Sequence, residues 1–118
     1  MAGKAERDRE MNDLRQLHDR GDGWQIVDVR EQWEWDAGHI DGAVHLPLND
    51  VMAGRDQEQL DVGRPIAVVC RTGNRSELGA LILQARGFDA HNVEGGMEAW
   101  AQAGLPFQAT DGSPGRVA

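Results

Sequence analysis

Residues 65–76 read Pro65-Ile66-Ala67-Val68-Val69-Cys70-Arg71-Thr72-Gly73-Asn74-Arg75-Ser76. Ile66 to Cys70 is the clearest strand in the chain, a continuous apolar run introduced by a proline. From about Ser76 to Arg86 the pattern turns helical. Leu78, Leu81, Ile82 and Ala85 fall at i, i+3, i+4 and i+7, which predicts one apolar stripe. Gly87 stands where a helix C-cap glycine belongs. Strand, polar loop and helix in this order set the class of fold.

On either side of this stretch the same alternation repeats. Trp24-Gln25-Ile26-Val27-Asp28-Val29 reads as a buried strand, and Glu31 to Ala37 as a short helix ended by Gly38. Ala43-Val44-His45-Leu46-Pro47-Leu48 is a second extended run, with Pro47 at its end. Residues 49–64 are polar, punctuated by Gly54 and Gly63. A short strand is expected near His91-Asn92-Val93, and Gly95-Gly96 leads into a last helix through Met97 and Trp100. Upstream, Glu6 to Arg20 favours helix, with Met11, Leu14 and Leu17 at three-residue spacing and Gly21 and Gly23 to stop it. Strands alternating with helices predict an α/β fold with a largely parallel sheet covered on both faces. Ligands in such sheets bind outside the carboxyl ends of the strands, where Cys70 lies.

The chain has 118 residues, enough for one domain with a core of its own. Residues 1–10 are expected to be a flexible segment, 11–107 the folded domain, and 108–118 a Gly/Ser/Pro tail with nothing to bury. The net charge of −8 argues against nucleic acid and anionic membrane as partners. No apolar run approaches the roughly 20 residues of a membrane helix. The N-terminus lacks the apolar stretch of a secretory signal, so a cytoplasmic location is expected. The chain holds one cysteine, so no internal disulfide can form. Four histidines without close ligand spacing leave no metal site and no cofactor expected.

A lone cysteine after an apolar strand is ordinarily a small buried hydrophobe. The residues after it oppose that reading. A glycine-containing loop can turn successive N–H groups inward as an anion nest. The helix beyond the loop adds its positive end, and Arg71 and Arg75 add charge. Each favours thiolate over thiol, and such settings depress a cysteine pKa from about 8.5 to roughly 3.5–7.5. The same cradle would stabilise an anionic persulfide.

The loop Cys70-Arg71-Thr72-Gly73-Asn74-Arg75-Ser76 resembles the active loop of rhodanese-type sulfurtransferases. Val27-Asp28-Val29-Arg30-Glu31 is similar to that family's first strand and its exit. Ala37-Gly38-His39-Ile40-Asp41-Gly42-Ala43 resembles its Gly-His-Ile turn, with Asp41 where proline is common. Gly95-Gly96-Met97-Glu98-Ala99-Trp100 and Gly104-Leu105-Pro106 resemble its closing signatures. The resemblance covers about Trp24 to Pro106. It implies a rhodanese-like α/β fold, a mostly parallel five-stranded central sheet flanked by helices on both faces. It also implies a catalytic persulfide on Cys70, with Arg71, Thr72, Gly73, Asn74, Arg75 and Ser76 binding substrate.

The expected activity is therefore transfer of a sulfane sulfur from thiosulfate or a persulfide donor to cyanide or a thiol. The alternative is a protein-to-protein sulfur relay with little free-substrate turnover, in which a sulfur-acceptor protein is the partner. A cysteine-dependent phosphatase or arsenate reductase fits less well. Four residues separate Cys70 from Arg75, where phosphatases of this fold have five, and no general acid is evident. Nothing suggests an obligate dimer, so a monomer is expected. Asp28, Arg30 and Trp100 are candidates for lining the pocket or ordering the loop. Arg30 is the better candidate for touching an anion. For Trp100 the competing role is core packing. His39 is expected to be structural, hydrogen bonding backbone. Gly95 and Gly96 are expected to let the chain pass close to the cysteine loop.

Overall fold

A computed structural model of the chain describes residues 10–11, 14–20 and 23–118. Four strands form the parallel body of its sheet: β2 (Gln25–Asp28), β3 (Val44–His45), β4 (Ile66–Val69) and β5 (Ala90–Val93). A two-residue stretch, β1 (Glu10–Met11), pairs parallel with β5, so the order is β1-β5-β4-β2-β3. The register sets Val69 beside Asp28, and Val68 beside both Val27 and Asn92. β4 therefore has a neighbour on each side, and both of its faces are covered. Val68 enters one hydrophobic cluster, while Ala67 and Val69 enter the other. That double burial explains why β4 is apolar throughout rather than alternating.

Among the described residues, five α-helices surround the sheet: α1 (Leu14–Arg20), α2 (Gln32–Ala37), α3 (Leu48–Ala53), α4 (Asn74–Ala85) and α5 (Gly96–Gln102). Val51 of α3 and Ala80 and Leu83 of α4 join the first cluster. Leu14 and Leu17 of α1 and Met97 and Trp100 of α5 join the second. The expected N-terminal helix is present from Leu14. The expectation for residues 1–9, and the stop at Gly21, lie outside the described residues. Glu10–Met11 is extended rather than helical.

The apolar stripe expected on α4 is not the buried one. Leu78 and Leu81 are exposed, and the buried face is Ser76, Gly79, Ala80 and Leu83. Small residues win here because the helix lies close to the sheet. A Cβ on Gly79 would sit 3.4 Å from Val68 and 3.5 Å from Val29. Helix α3 was hidden in the polar stretch 49–64. It starts after Pro47, a residue pre-set for entry into a helix, and buries one side chain, Val51. The tail expected at 108–118 meets the end of α2. Thr110 N–H donates to the Asp36 carbonyl and Arg116 N–H to the Ala37 carbonyl, both at 3.0 Å. Gly38 has no Cβ to collide with Arg116, and Val117 packs against the second cluster. Composition alone could not show that the tail has backbone partners at the end of α2.

Candidate active site

Cys70 comes directly after β4 and is 1% exposed. The loop beyond it is fixed from behind by α5. Met97 N–H donates to the Cys70 carbonyl at 2.8 Å, and Glu98 N–H to the Arg71 carbonyl at 3.0 Å. A trans peptide points its C=O and N–H in opposite directions. Turning the Arg71 carbonyl toward α5 therefore turns the Thr72 N–H away from it, and that N–H is one of those that stabilise the Cys70 thiolate. The approach needs glycine at 96, where φ is +56° and a Cβ would lie 2.7 Å from the Arg71 carbonyl oxygen.

A backbone amide and a hydroxyl lie at hydrogen-bond distance from the sulfur. Gly73 N–H is 3.1 Å from Cys70 Sγ, with Gly73 in the left-handed conformation at φ +111°. The Ser76 hydroxyl is 3.2 Å from Sγ. Helix α4 begins at Asn74, earlier than periodicity indicates, so Ser76 occupies its first turn and faces back to Cys70. Burial pushes the Cys70 thiol up. The Ser76 hydroxyl, with the backbone N–H groups of Ser76, Gly73 and Thr72, outweighs it and holds the pKa below the ordinary thiol value. The local chemistry thus favours a thiolate, the form in which cysteine is a nucleophile.

The two loop arginines differ. Arg75 is bound to Glu34 of α2, Nη1 to Oε1 at 2.6 Å and Nη2 to Oε2 at 2.8 Å. Glu34 is buried, and its Oε1 also accepts from Glu31 N–H at 3.0 Å. The guanidinium expected to meet substrate thus links α4 to α2 through Glu34. Arg71 has an exposed side chain whose Nε is 3.9 Å from the nearest Glu98 oxygen. Its side chain is half exposed at the rim of the loop. Thr72 and Asn74 are exposed and present the loop's polar rim.

Arg30 and Asp28 are placed behind the loop, beneath the surface. Both side chains are buried against each other, Arg30 Nη2 donating to Asp28 Oδ2 at 2.7 Å. Arg30 also donates to the carbonyls of Glu34 at 3.3 Å and Gly38 at 2.7 Å. These bonds tie Arg30 to the backbone of α2 and of the glycine that ends it. Trp100 is wholly buried in the second cluster, its Nε1–H donating to the Pro106 carbonyl at 2.9 Å. His39 donates through Nδ1 to the Trp35 carbonyl at 2.8 Å and stacks on Trp35, and His45 stacks on the same indole.

Two participants escaped the sequence. Glu34 gave only a weak signal, as the third helical residue after a glutamate N-cap. Asn92 of β5 gave none. Its Oδ1 lies 2.5 Å from the Ser76 hydroxyl oxygen, which places it one residue behind the sulfur. Among the described residues, no group of three or more His, Cys, Asp or Glu is placed to hold a metal ion. No helix among them is long and apolar enough to cross a membrane.

The rhodanese-like domain family model matches residues 10–103. The probable adenylyltransferase/sulfurtransferase MoeZ of Mycobacterium tuberculosis is 36% identical over 95 residues. That match takes in 80% of this chain but 24% of the relative, so the chain spans about a quarter of that protein's length. A rhodanese-related protein from Thermoplasma volcanium superposes with a TM-score of 0.76 at 28% identity, covering 84% of this chain and 96% of that one. A rhodanese-like domain protein from Staphylococcus aureus gives 0.66 at 33% identity, covering 74% and 86%.

Proposed function

Because the chain belongs to the rhodanese-like domain family, we propose that it is a sulfurtransferase that carries a sulfane sulfur on Cys70. The observation that carries this reading is the cradle itself: Gly73 N–H and the Ser76 hydroxyl converging on Cys70 Sγ. With thiosulfate as donor, the Cys70 thiolate attacks the outer sulfur. A new S–S bond forms, the bond within thiosulfate breaks, and sulfite leaves with the electron pair. The product is a Cys70 persulfide anion, which suits the same inward N–H groups. A cyanide carbon or an external thiolate then attacks the terminal sulfur. Thiocyanate or a new persulfide leaves, and the Cys70 thiolate returns. With one cysteine in the chain, the acceptor must be external. Arg71 is the cation that meets the donor's anionic oxygens. The protein needs no cofactor and works in the cytoplasm as a monomer.

A second reading is a relay, in which a partner protein's persulfide loads Cys70 and another protein unloads it. It is favoured by the match taking in only 24% of a relative named for two activities. The test is thiocyanate formation from thiosulfate and cyanide, run beside loading from a protein persulfide. Thiosulfate turnover lost in Cys70→Ser supports the enzyme. Fast loading by the protein donor with slow thiosulfate turnover assigns the relay. Hydrolysis of an aryl phosphate, lost in Cys70→Ser, would overturn both.

A further inference from the structure

The Ser76 hydroxyl stands between two acceptors. Its oxygen is 3.2 Å from Cys70 Sγ and 2.5 Å from Asn92 Oδ1. A hydroxyl has one proton and can give it to only one of them. When Cys70 is a thiol, S–H donates to Ser76 Oγ and the serine proton goes to Asn92 Oδ1. When Cys70 is a thiolate, Sγ only accepts, and the serine proton turns to it. Ser76 Oγ would then face Asn92 Oδ1 with no proton between them, at a distance that demands one. A half-turn of the amide exchanges Oδ1 for Nδ2 and restores a donor at that place.

We propose that Asn92 is the positioning residue for the Ser76 proton, accepting through Oδ1 while Cys70 is neutral and donating through Nδ2 while it is charged. The proton lost from Sγ goes to solvent. Serine keeps its one proton and the amide its two, so only the direction of the chain reverses. β5 holds Asn92 in place, since its backbone pairs with Val68 on one side and Glu10 on the other. The charged groups around the chain have other partners or are exposed. Arg75 is on Glu34, Arg71 is near Glu98, Arg30 is on Asp28, and His91 is on Asp89. Glu94 is exposed at the end of β5. Among the described residues none of these hydrogen-bonds Ser76 or Asn92.

The inference rests on the reading of Cys70 as the working thiolate and is independent of what it carries. Asn92→Asp replaces the reversible amide by a group that only accepts when ionised and so keeps the serine proton. Alkylation of Cys70 by iodoacetamide at pH 6.5 should then fall about tenfold, the scale of one hydrogen bond to a charged group. In a Ser76→Ala background the same substitution should change the rate less than about threefold, the residual effect of a nearby charge. Equal falls in both backgrounds would overturn the proposal, as would no fall in either. In the unsubstituted protein, the Asn92 side-chain amide resonances should move with the Cys70 titration and stop doing so in Ser76→Ala. Resonances that stay fixed through that titration would overturn it even if N92D failed to fold. These readouts report the thiolate alone. Failure of sulfur transfer with both results intact would count against the proposed function and leave this inference standing.

Discussion

Arg75 and Glu34 form a fork-to-fork ion pair across 41 residues of sequence, at 2.6 and 2.8 Å, with the Glu34 side chain 3% exposed. The pair ties the first turn of α4 to α2. It therefore fixes the angle from which Ser76 reaches Cys70.

Arg75→Ala leaves a buried carboxylate with Glu31 N–H as its remaining donor. Breaking a fully buried pair costs about 3–5 kcal/mol. Arg75 is 36% exposed, so solvent screening reduces this to roughly 1–3 kcal/mol. Urea unfolding checks it, and Arg75→Ala with Glu34→Ala should cost less than the sum of the two. The bond from Arg75, with burial opposing it, holds Glu34 below its ordinary 4.5. A depressed carboxylate stabilises the fold above its unfolded value and loses that contribution as pH falls through its folded value. Stability of the unsubstituted protein should therefore drop below about pH 4.5 more steeply than that of Arg75→Ala.

Cys70 should reach its full alkylation rate at a lower pH than a free thiol. Burial works against the thiolate, and the Ser76 hydroxyl and loop N–H groups more than offset it. Ser76→Ala should move the midpoint up by about one pH unit, corresponding to a hydrogen bond to a charged group. The matching stability contribution is present above the unfolded thiol value and lost as pH falls through the folded one. A pH series of alkylation rates on both proteins measures the shift.

Arg71→Ala should raise KM for thiosulfate about threefold to tenfold and leave unfolding within about 0.5 kcal/mol, as expected for an exposed side chain whose ion pair with Glu98 is long and solvent-screened. Raising ionic strength should weaken thiosulfate binding in the unsubstituted protein and have less effect in the variant. Steady-state kinetics at two salt concentrations decide it.

Gly96→Ala should destabilise by roughly 2–4 kcal/mol, combining strain at positive φ with displacement of the loop backbone. The new Cβ would meet the Cys70 carbonyl oxygen and lie 2.7 Å from the Arg71 carbonyl oxygen. Gly87→Ala, also at positive φ but with open space around it, should cost less. Thermal unfolding of the two variants separates crowding from strain.

The parts of the site legible in the sequence are those encoded locally. Cys70 at the end of an apolar strand and the loop glycine that permits an inward nest can both be read from neighbouring residue types. Long-range partners were not legible. Nothing near Arg75 shows that its charge is taken by Glu34, and nothing near Ser76 points to Asn92, 16 residues away. The α4 stripe misled because periodicity counts apolar residues. The buried face was chosen by close approach, through Gly79 and Ala80, and by Ser76 having to face the sulfur.

Whether Cys70 carries sulfur is decided by intact-protein mass spectrometry after incubation with thiosulfate or a small persulfide donor. The expected result is a gain of one sulfur atom, discharged by cyanide and absent in Cys70→Ser. A chain that gains no sulfur from any sulfane donor, including a protein persulfide, would contradict it.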